Sequence, residues 1–351
     1  MVVSYLQDRR RGTFVNRSRS SPLLALCTAI LAALHTALLA CATAAPRQGP
    51  PVELPARWAA SRALRITVFG PEGEVTLTQG HHDWKPVWNL AGDRLAFFRT
   101  TADTGAFIYW KAALMVARAD GGGVRQLTDG TGRDFNPTWT RDGTERILFN
   151  RYGVGEEADR CEVWSTAPDA SPGDEVRLSG PTNRYEWVDA GLRDGRLFVD
   201  AAVWSRLGVG RMRSFLVTPR PHQAGVYEEL ARPTKAMWHK LSVSPSETKV
   251  VYMQDVSGNL GDYSDDLLYW AELDLEHLAV KNPVRITGST GRRCVNEYPR
   301  WSADESLVLY DSSCGGVSRV YAYRLSDGVT VEVPPGSREP TMFPSVQGVP
   351  Q

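Results

Sequence analysis

Residues 114–150 read LMVARADGGGVRQLTDGTGRDFNPTWTRDGTERILFN. An apolar run with Leu114 and Val116 ends at Asp120-Gly121-Gly122-Gly123. Glycine tolerates positive φ, so this cluster suits a hairpin turn. Val124-Arg125-Gln126-Leu127-Thr128 alternates apolar and polar, the period of a half-buried strand. Asn136-Pro137-Thr138-Trp139 leads to a second turn at Arg141-Asp142-Gly143, and Ile147-Leu148-Phe149 has the continuous apolar character of a strand buried on both faces.

The same order of strand, turn, strand, loop recurs along the chain about every fifty residues. Lys85-Pro86-Val87-Trp88, Ala91-Gly92-Asp93 and Leu95-Ala96-Phe97-Phe98 make one copy, and the quoted stretch holds the second. A degenerate third has Val188-Asp189-Ala190-Gly191, Arg193-Asp194-Gly195 and Leu197-Phe198-Val199. Leu241-Ser242-Val243-Ser244-Pro245 with Val250-Val251-Tyr252 is a fourth, and Tyr298-Pro299-Arg300-Trp301 with Leu307-Val308-Leu309-Tyr310 a fifth. Glu339-Pro340-Thr341-Met342-Phe343 begins a sixth. Four strands per repeat at this period predict propeller blades.

The pattern Arg-x-Leu-Thr, Pro-x-Trp, Asp-Gly, apolar strand resembles the propeller repeat of the TolB family. Arg125-Gln126-Leu127-Thr128 and Arg285-Ile286-Thr287 carry its second element, and Pro137-Thr138-Trp139 and Pro299-Arg300-Trp301 its third. The third copy lacks both Pro and Trp, and the fourth lacks the Trp. The resemblance implies an all-β, six-bladed β-propeller of four-stranded antiparallel blades. Arg65–Phe69 and Glu74–Thr78 are then the last strands of a blade that the C-terminal strand near Met342-Phe343 completes. Closure by both termini removes an open edge. Residues 42–62 alone separate the N-terminal signal from these strands, so the domain that TolB carries before its propeller is not expected.

Lys and Arg total 40 and Asp and Glu 40, for a formal net charge of +0. That balance and the lack of a polybasic run argue against a nucleic-acid partner. Residues 1–41 read as a targeting segment. Arg9, Arg10, Arg11, Arg17 and Arg19 precede an apolar run from Pro22 to Ala40, which Leu38-Leu39-Ala40-Cys41 closes. This resembles a bacterial lipobox, which would make Cys41 the lipidated residue. An ordinary cleavage site at Ala42-Thr43-Ala44 and a retained membrane anchor are the alternatives. All three place the remainder outside the cytoplasm, with outer-membrane anchoring on the periplasmic side as the first expectation. Residues 42–62, rich in Pro, Ala and Arg, read as a flexible tether, and 63–351 as the propeller.

No Gly-x-Ser-x-Gly, His-Glu-x-x-His or phosphate-binding glycine loop occurs. His81-His82-Asp83 reads as a polar loop, since a metal needs three or four converging ligands. Asp255–Asp266 is rich in oxygen donors but lacks the glycine and bidentate Glu of a calcium loop, and reads as solvated. Trp88, Trp139 and Trp301 recur with the repeat and belong to the core. Trp84, Trp110, Trp204 and Trp238 fall in loops or at strand ends and, with His81 and His82, are candidate partner contacts. Cys161, Cys294 and Cys314 remain once Cys27 and Cys41 are assigned to the signal and the lipid. Cys294 and Cys314 are equidistant from Asp304, so a hairpin turning there sets them opposite each other, within disulfide range. Two buried thiols are the alternative. Cys161 is left free.

No cofactor and no metal are expected. The function expected is that of a monomeric, non-catalytic envelope module that presents a loop-lined face to a protein or polysaccharide. The alternative is a propeller enzyme of lyase or hydrolase type with its pocket in the central channel.

Overall fold

The computed structural model describes residues 52, 54, 57–79, 82–100, 111–153, 161–179, 184–203, 212–232, 237–255, 266–288, 295–334 and 336–347. They form twenty-four strands and no helix, within a compact unit spanning Val52–Gln351.

The first four-stranded sheet joins β1 (Trp58–Arg62), β2 (Arg65–Gly70) and β3 (Gly73–Thr76) to β24 (Thr341–Val346) from the other end of the chain. β1 pairs antiparallel with both β2 and β24. This corrects the expected tether over its last residues. Ala59 and Ala60 are fully buried and Trp58 stacks on Phe69 with centroids 4.1 Å apart. Two consecutive alanines carry little strand propensity, which hid the strand in the sequence.

A twelve-stranded sheet follows. Its antiparallel runs are β4 (His82–Trp88), β5 (Arg94–Thr100), β6 (Ala112–Arg118) and β7 (Arg125–Gln126); then β8 (Arg133–Trp139), β9 (Ile147–Tyr152), β10 (Cys161–Thr166) and β11 (Val176–Arg177); then β12 (Arg184–Gly191), β13 (Leu197–Val203), β14 (Met212–Thr218) and β15 (Val226–Glu229). Among the described residues one parallel pair, Ala112↔Arg133, links the first run to the second, and one, Cys161↔Tyr185, links the second to the third. Two further four-stranded sheets hold β16 (Met237–Val243), β17 (Lys249–Asp255), β18 (Asp266–Asp274) and β19 (Ala279–Arg285), and β20 (Asn296–Trp301), β21 (Leu307–Ser312), β22 (Arg319–Arg324) and β23 (Thr330–Glu332). The hydrogen-bonded sheets thus number four, where the sequence leads one to expect six.

The core lies in layers between successive antiparallel runs. Val87, Leu114 and Leu127 of one run pack on Trp139, Ile147 and Phe149 of the next. Val251, Met253 and Leu268 likewise meet Trp301, Val308 and Tyr310. The repeated tryptophans tie the layers with a hydrogen bond as well. Trp139 Nε1 donates to Val87 O and Trp301 Nε1 to Ser242 O, each at 3.0 Å. Gly191 stands where the third repeat lacks its Trp. A Cβ there would meet Thr140 Cα at 3.1 Å. Arg141 from the β8–β9 turn donates to Ser244 O and Val243 O at the end of β16, at 2.9 and 2.8 Å.

Candidate functional site: the buried charges of the inner strands

One edge of each antiparallel run is buried and the other is wet. β3 and β7 are exposed throughout, whereas β4 and β20 are nearly all buried. The buried edge strands all carry the same irregularity. The pairing of β4 with β5 steps from Trp84↔Phe98 to Val87↔Ala96, so Lys85-Pro86 stands opposite one residue. Register shifts of the same kind bracket Asn136-Pro137, Asp189, Lys240-Leu241, Tyr298-Pro299 and Phe343-Pro344. Lys85, Asn136, Lys240, Tyr298 and Phe343 all take left-handed backbone, with φ between 49° and 57°. For residues other than glycine this costs on the order of 1 kcal/mol each, and a bulge re-aims the side chain it carries.

The bulged side chains meet. Lys85 Nζ lies 5.0 Å from the centre of the Tyr298 ring and 5.8 Å from that of Trp187. Lys240 Nζ lies 4.3 Å from the Tyr298 centre and is ion-paired with Glu297. Tyr298 in turn packs edge-on to Phe343 at 4.4 Å. Asn136 is tied into the scaffold, donating to Asn150 Oδ1 at 3.0 Å and Val188 O at 2.7 Å.

Burial sets the electrostatics. It depresses the Lys85 ammonium well below the ordinary lysine range, and the neighbouring Arg300 charge adds to this. It lowers Arg300 to about 10. Asp189 is raised well above the usual carboxylate range by burial and then by the charge of Asp200. Asp200 itself is lifted to about 6 by burial, although Ser214 Oγ donates to its Oδ1 at 2.6 Å. The charges of the neighbouring Asp189 and Asp200 act on each other, which disfavours ionisation of both together. Burial also raises Asp311 and pushes His239 down to about 3, leaving a neutral imidazole.

The residues singled out from sequence fare differently. His82 is half-buried on β4. Trp84 packs edge-on to Phe343 at 6.1 Å with 8% exposure. Trp238 is fully buried and stacked on Tyr252 at 3.9 Å. Neither Trp84 nor Trp238 presents a surface to a partner: both are core, because their strands extend farther than the local pattern suggested. Asp83 is no metal ligand. Arg99 donates from Nε and Nη2 to its two oxygens at 2.6 and 3.0 Å, a bidentate pair that Arg151 and Asp134 repeat. Among the described residues no group of three His, Cys, Asp or Glu is placed to hold a metal. His81, Trp110, Trp204, Cys41, Cys294 and the loop 256–265 lie outside the described residues. Cys314 is disulfide-bonded, with its partner outside the described residues, and Cys161 is a buried free thiol.

Lys85, Asp189, Lys240, Tyr298 and Arg300 were not recognised as site residues from sequence. A signal for them existed. They occupy the variable places of a repeat whose Pro and Trp framework recurs. Two open grooves, of about 540 Å³ beside Arg62 and Glu339 and about 570 Å³ beside Lys249 and Asp274, lie elsewhere. Each holds ion pairs: Arg62 with Glu74 and Glu339 in the first, and Lys281 with Asp274 in the second.

No family model matches the chain, and no curated protein matches it in sequence. Solved structures do. The chain is similar to Kuenenia stuttgartiensis hydrazine synthase (TM-score 0.60, 16% identity, 88% of this chain and 51% of that one). It is similar to TolB from Acinetobacter baumannii (TM-score 0.59, 14% identity, 86% of this chain and 68% of that one). A third neighbour is the tricorn protease (TM-score 0.52, 10% identity, 78% of this chain and 25% of that one). The fold is a β-propeller. Its blades are antiparallel and four-stranded, and TolB structures are among its neighbours. The chain spans about half the length of the hydrazine synthase chain and two thirds of the TolB chain. At such identities the likeness concerns fold, and propellers host unrelated activities.

Proposed function

We propose that this chain is a non-catalytic binding module of the cell envelope, anchored by lipid at Cys41, whose ligand enters where the bulged inner strands converge. The observation that carries it is the set of five left-handed bulges that aim Lys85, Lys240 and Tyr298 at one another, at a cost a mere scaffold has no reason to bear. The module has six blades closed into a ring. Three features support that count. Among the described residues, single parallel pairs are all that link the three antiparallel runs of the twelve-stranded sheet. The inner strands β4, β8, β12, β16, β20 and β24 each lie against the next, with β24 against β4. A hydrophobic layer holding Trp58, Phe69, Leu309 and Val346 lies between the last run and the sheet that carries β1. The partner is an envelope protein or polysaccharide, and the Leu-Leu-Ala-Cys segment supports its placement.

Melting of the purified protein with fractionated envelope extract tests the binding. A component that binds the native state raises Tm by mass action and is recovered unchanged. A second reading, a propeller hydrolase, is favoured by two neighbouring buried carboxyls, Asp189 and Asp200, both raised toward the protonated form, which suits general acid catalysis. Recovery of a cleaved component, with cleavage abolished by Asp189→Asn, would establish that reading. For the anchor, Cys41→Ala should leave the membrane fraction, since stable attachment needs two or more acyl chains on that residue.

A further inference from the structure

Lys240 and Glu297 satisfy each other, but two other cations of the cluster are not so placed. Lys85 is 6% and Arg300 5% exposed. Among the described residues no carboxylate forms an ion pair with either. Lys85 Nζ has two aromatic faces near it and no hydrogen-bond acceptor. Arg300 spends one donor on the adjacent Pro299 O at 3.1 Å. Besides Glu297, the acids whose charge reaches them are Asp189 and Asp311, and burial raises both toward the neutral form; Asp311 Oδ1 also accepts from Phe343 N at 3.3 Å. A third donor is also idle: Trp187 Nε1 is buried without a partner, and its ring is one of the two that flank Lys85. A buried donor left unsatisfied costs roughly 1–3 kcal/mol, and more if charged. Two neighbouring buried cations also repel, as the depression of Lys85 by Arg300 records. Native structures keep such groups where a ligand satisfies them.

We propose that Lys85 and Arg300, walled by Tyr298 and Trp187, form an anion subsite that takes a carboxylate of the ligand. The inference rests on reading this cluster as the ligand site. A carboxylate fits the charge, because Glu297 already offsets Lys240 and burial raises Asp189 and Asp311 toward the neutral form beside the other two cations. A guanidinium offers a carboxylate two parallel donors, and the ammonium adds a third. The aromatic walls suit the apolar face of a sugar ring or a peptide side chain next to that carboxylate. A uronic acid and a peptide C-terminus share this chemistry.

Calorimetric titration with D-glucuronate and with N-acetyl-D-alanine, against D-glucose, N-acetyl-D-alanine amide and inorganic phosphate, separates the sources. We expect one of the two acids to bind and its neutral counterpart not to. Lys85→Met and Arg300→Gln should each weaken that binding by roughly tenfold or more, the loss of one charged hydrogen bond. Each should also leave the Tm of the unliganded protein equal or higher, because an uncompensated buried charge has gone. Lys281→Ala, at an exposed ion pair, should bind as the wild type does. A fall in unliganded Tm in both cation variants would show that Lys85 and Arg300 serve the fold, and would overturn the subsite. Failure of both acids to bind, or tighter binding of phosphate, would also overturn it. If an envelope fraction still raised Tm in that case, the binding module itself would stand.

Discussion

Asp200 has no exposed surface, and its carboxyl is held at about 6 by burial. The unfolded value is near 3.9. Folding therefore takes up a proton between those limits. The contribution is fully present below the unfolded value and is lost as pH rises through about 6. Asp200→Asn keeps an acceptor for Ser214 and cannot ionise. Its stability relative to wild type should grow as pH rises from about 4 to 7, reaching on the order of 3 kcal/mol. Urea unfolding at a series of pH values measures this, and equal pH slopes in the two proteins would mean that Asp200 titrates as an ordinary carboxylate. The cysteines offer a second residue-scale test. Near the turn the pairing runs Trp301↔Val308 and Arg300↔Leu309, which alone would leave Cys294 and Cys314 out of step. The bulge at Tyr298-Pro299 absorbs one residue, so the pairing becomes Glu297↔Asp311 and Asn296↔Ser312. Ser313 N donates to Val295 O at 3.0 Å in the same register. If that register runs one residue further, 294 is expected to face 314. Non-reducing peptide mapping should yield one linked peptide holding Cys294 and Cys314, and loss of that bond should cost roughly 3 kcal/mol. A peptide joining Cys314 to another cysteine would refute the register.

At the scale of the element, the degenerate third repeat is stabilised from outside itself. Gly191 packs close against Thr140, and Arg141, the next residue along, reaches two carbonyls of the next sheet. Its buried guanidinium is held at about 10 by desolvation, so the group stays charged at neutral pH. Arg141→Met should strand Val243 O and Ser244 O and destabilise by about 2–4 kcal/mol, with each charged hydrogen bond worth about 1.5–3 and packing partly kept. The denaturation midpoint reads it. A change below about 0.5 kcal/mol, ordinary for a surface site, would show that the arginine does not tie the two sheets. The turns beside it show the same economy. Glu247 and Glu305 hold left-handed backbone where other repeats have glycine. Each reaches back one repeat, Glu247 to Arg193 N at 2.9 Å and Glu305 to Ser246 N at 2.5 Å.

For the whole molecule, the critical pairing is between chain ends. β24 lies on the free edge of β1, with Thr341 opposite Arg62 and Val346 opposite Trp58. Deleting residues 337–351 removes that strand, and Phe343 with it from the cluster around Tyr298. The exposed edge of β1 should then template aggregation, and the melting transition should fall as one cooperative unit. Light scattering and calorimetry check this. Unchanged solubility and Tm would mean that the edge is protected in another way.

The sequence by itself determined the all-β class and most of the strands, as four-stranded antiparallel repeats. Period-2 runs such as Val124–Thr128, the Asp-Gly turns and the recurring Trp139 and Trp301 are local consequences of pleat, turn geometry and core layers. The same locality explains what it missed. Trp58–Arg62 looked like tether because only Phe69 and β24, distant in sequence, make a strand of two alanines worthwhile. Trp84 and Trp238 looked exposed because nothing near them in the chain predicts Phe343 or Tyr252 as neighbours. The site itself was decided in tertiary structure. Lys85, Asp189 and the pair Tyr298 and Arg300 come from three different repeats, and each is an ordinary polar or aromatic residue in its own. Only when the inner strands gather do their charges share one volume with little water, where the field of each resets the protonation of the others.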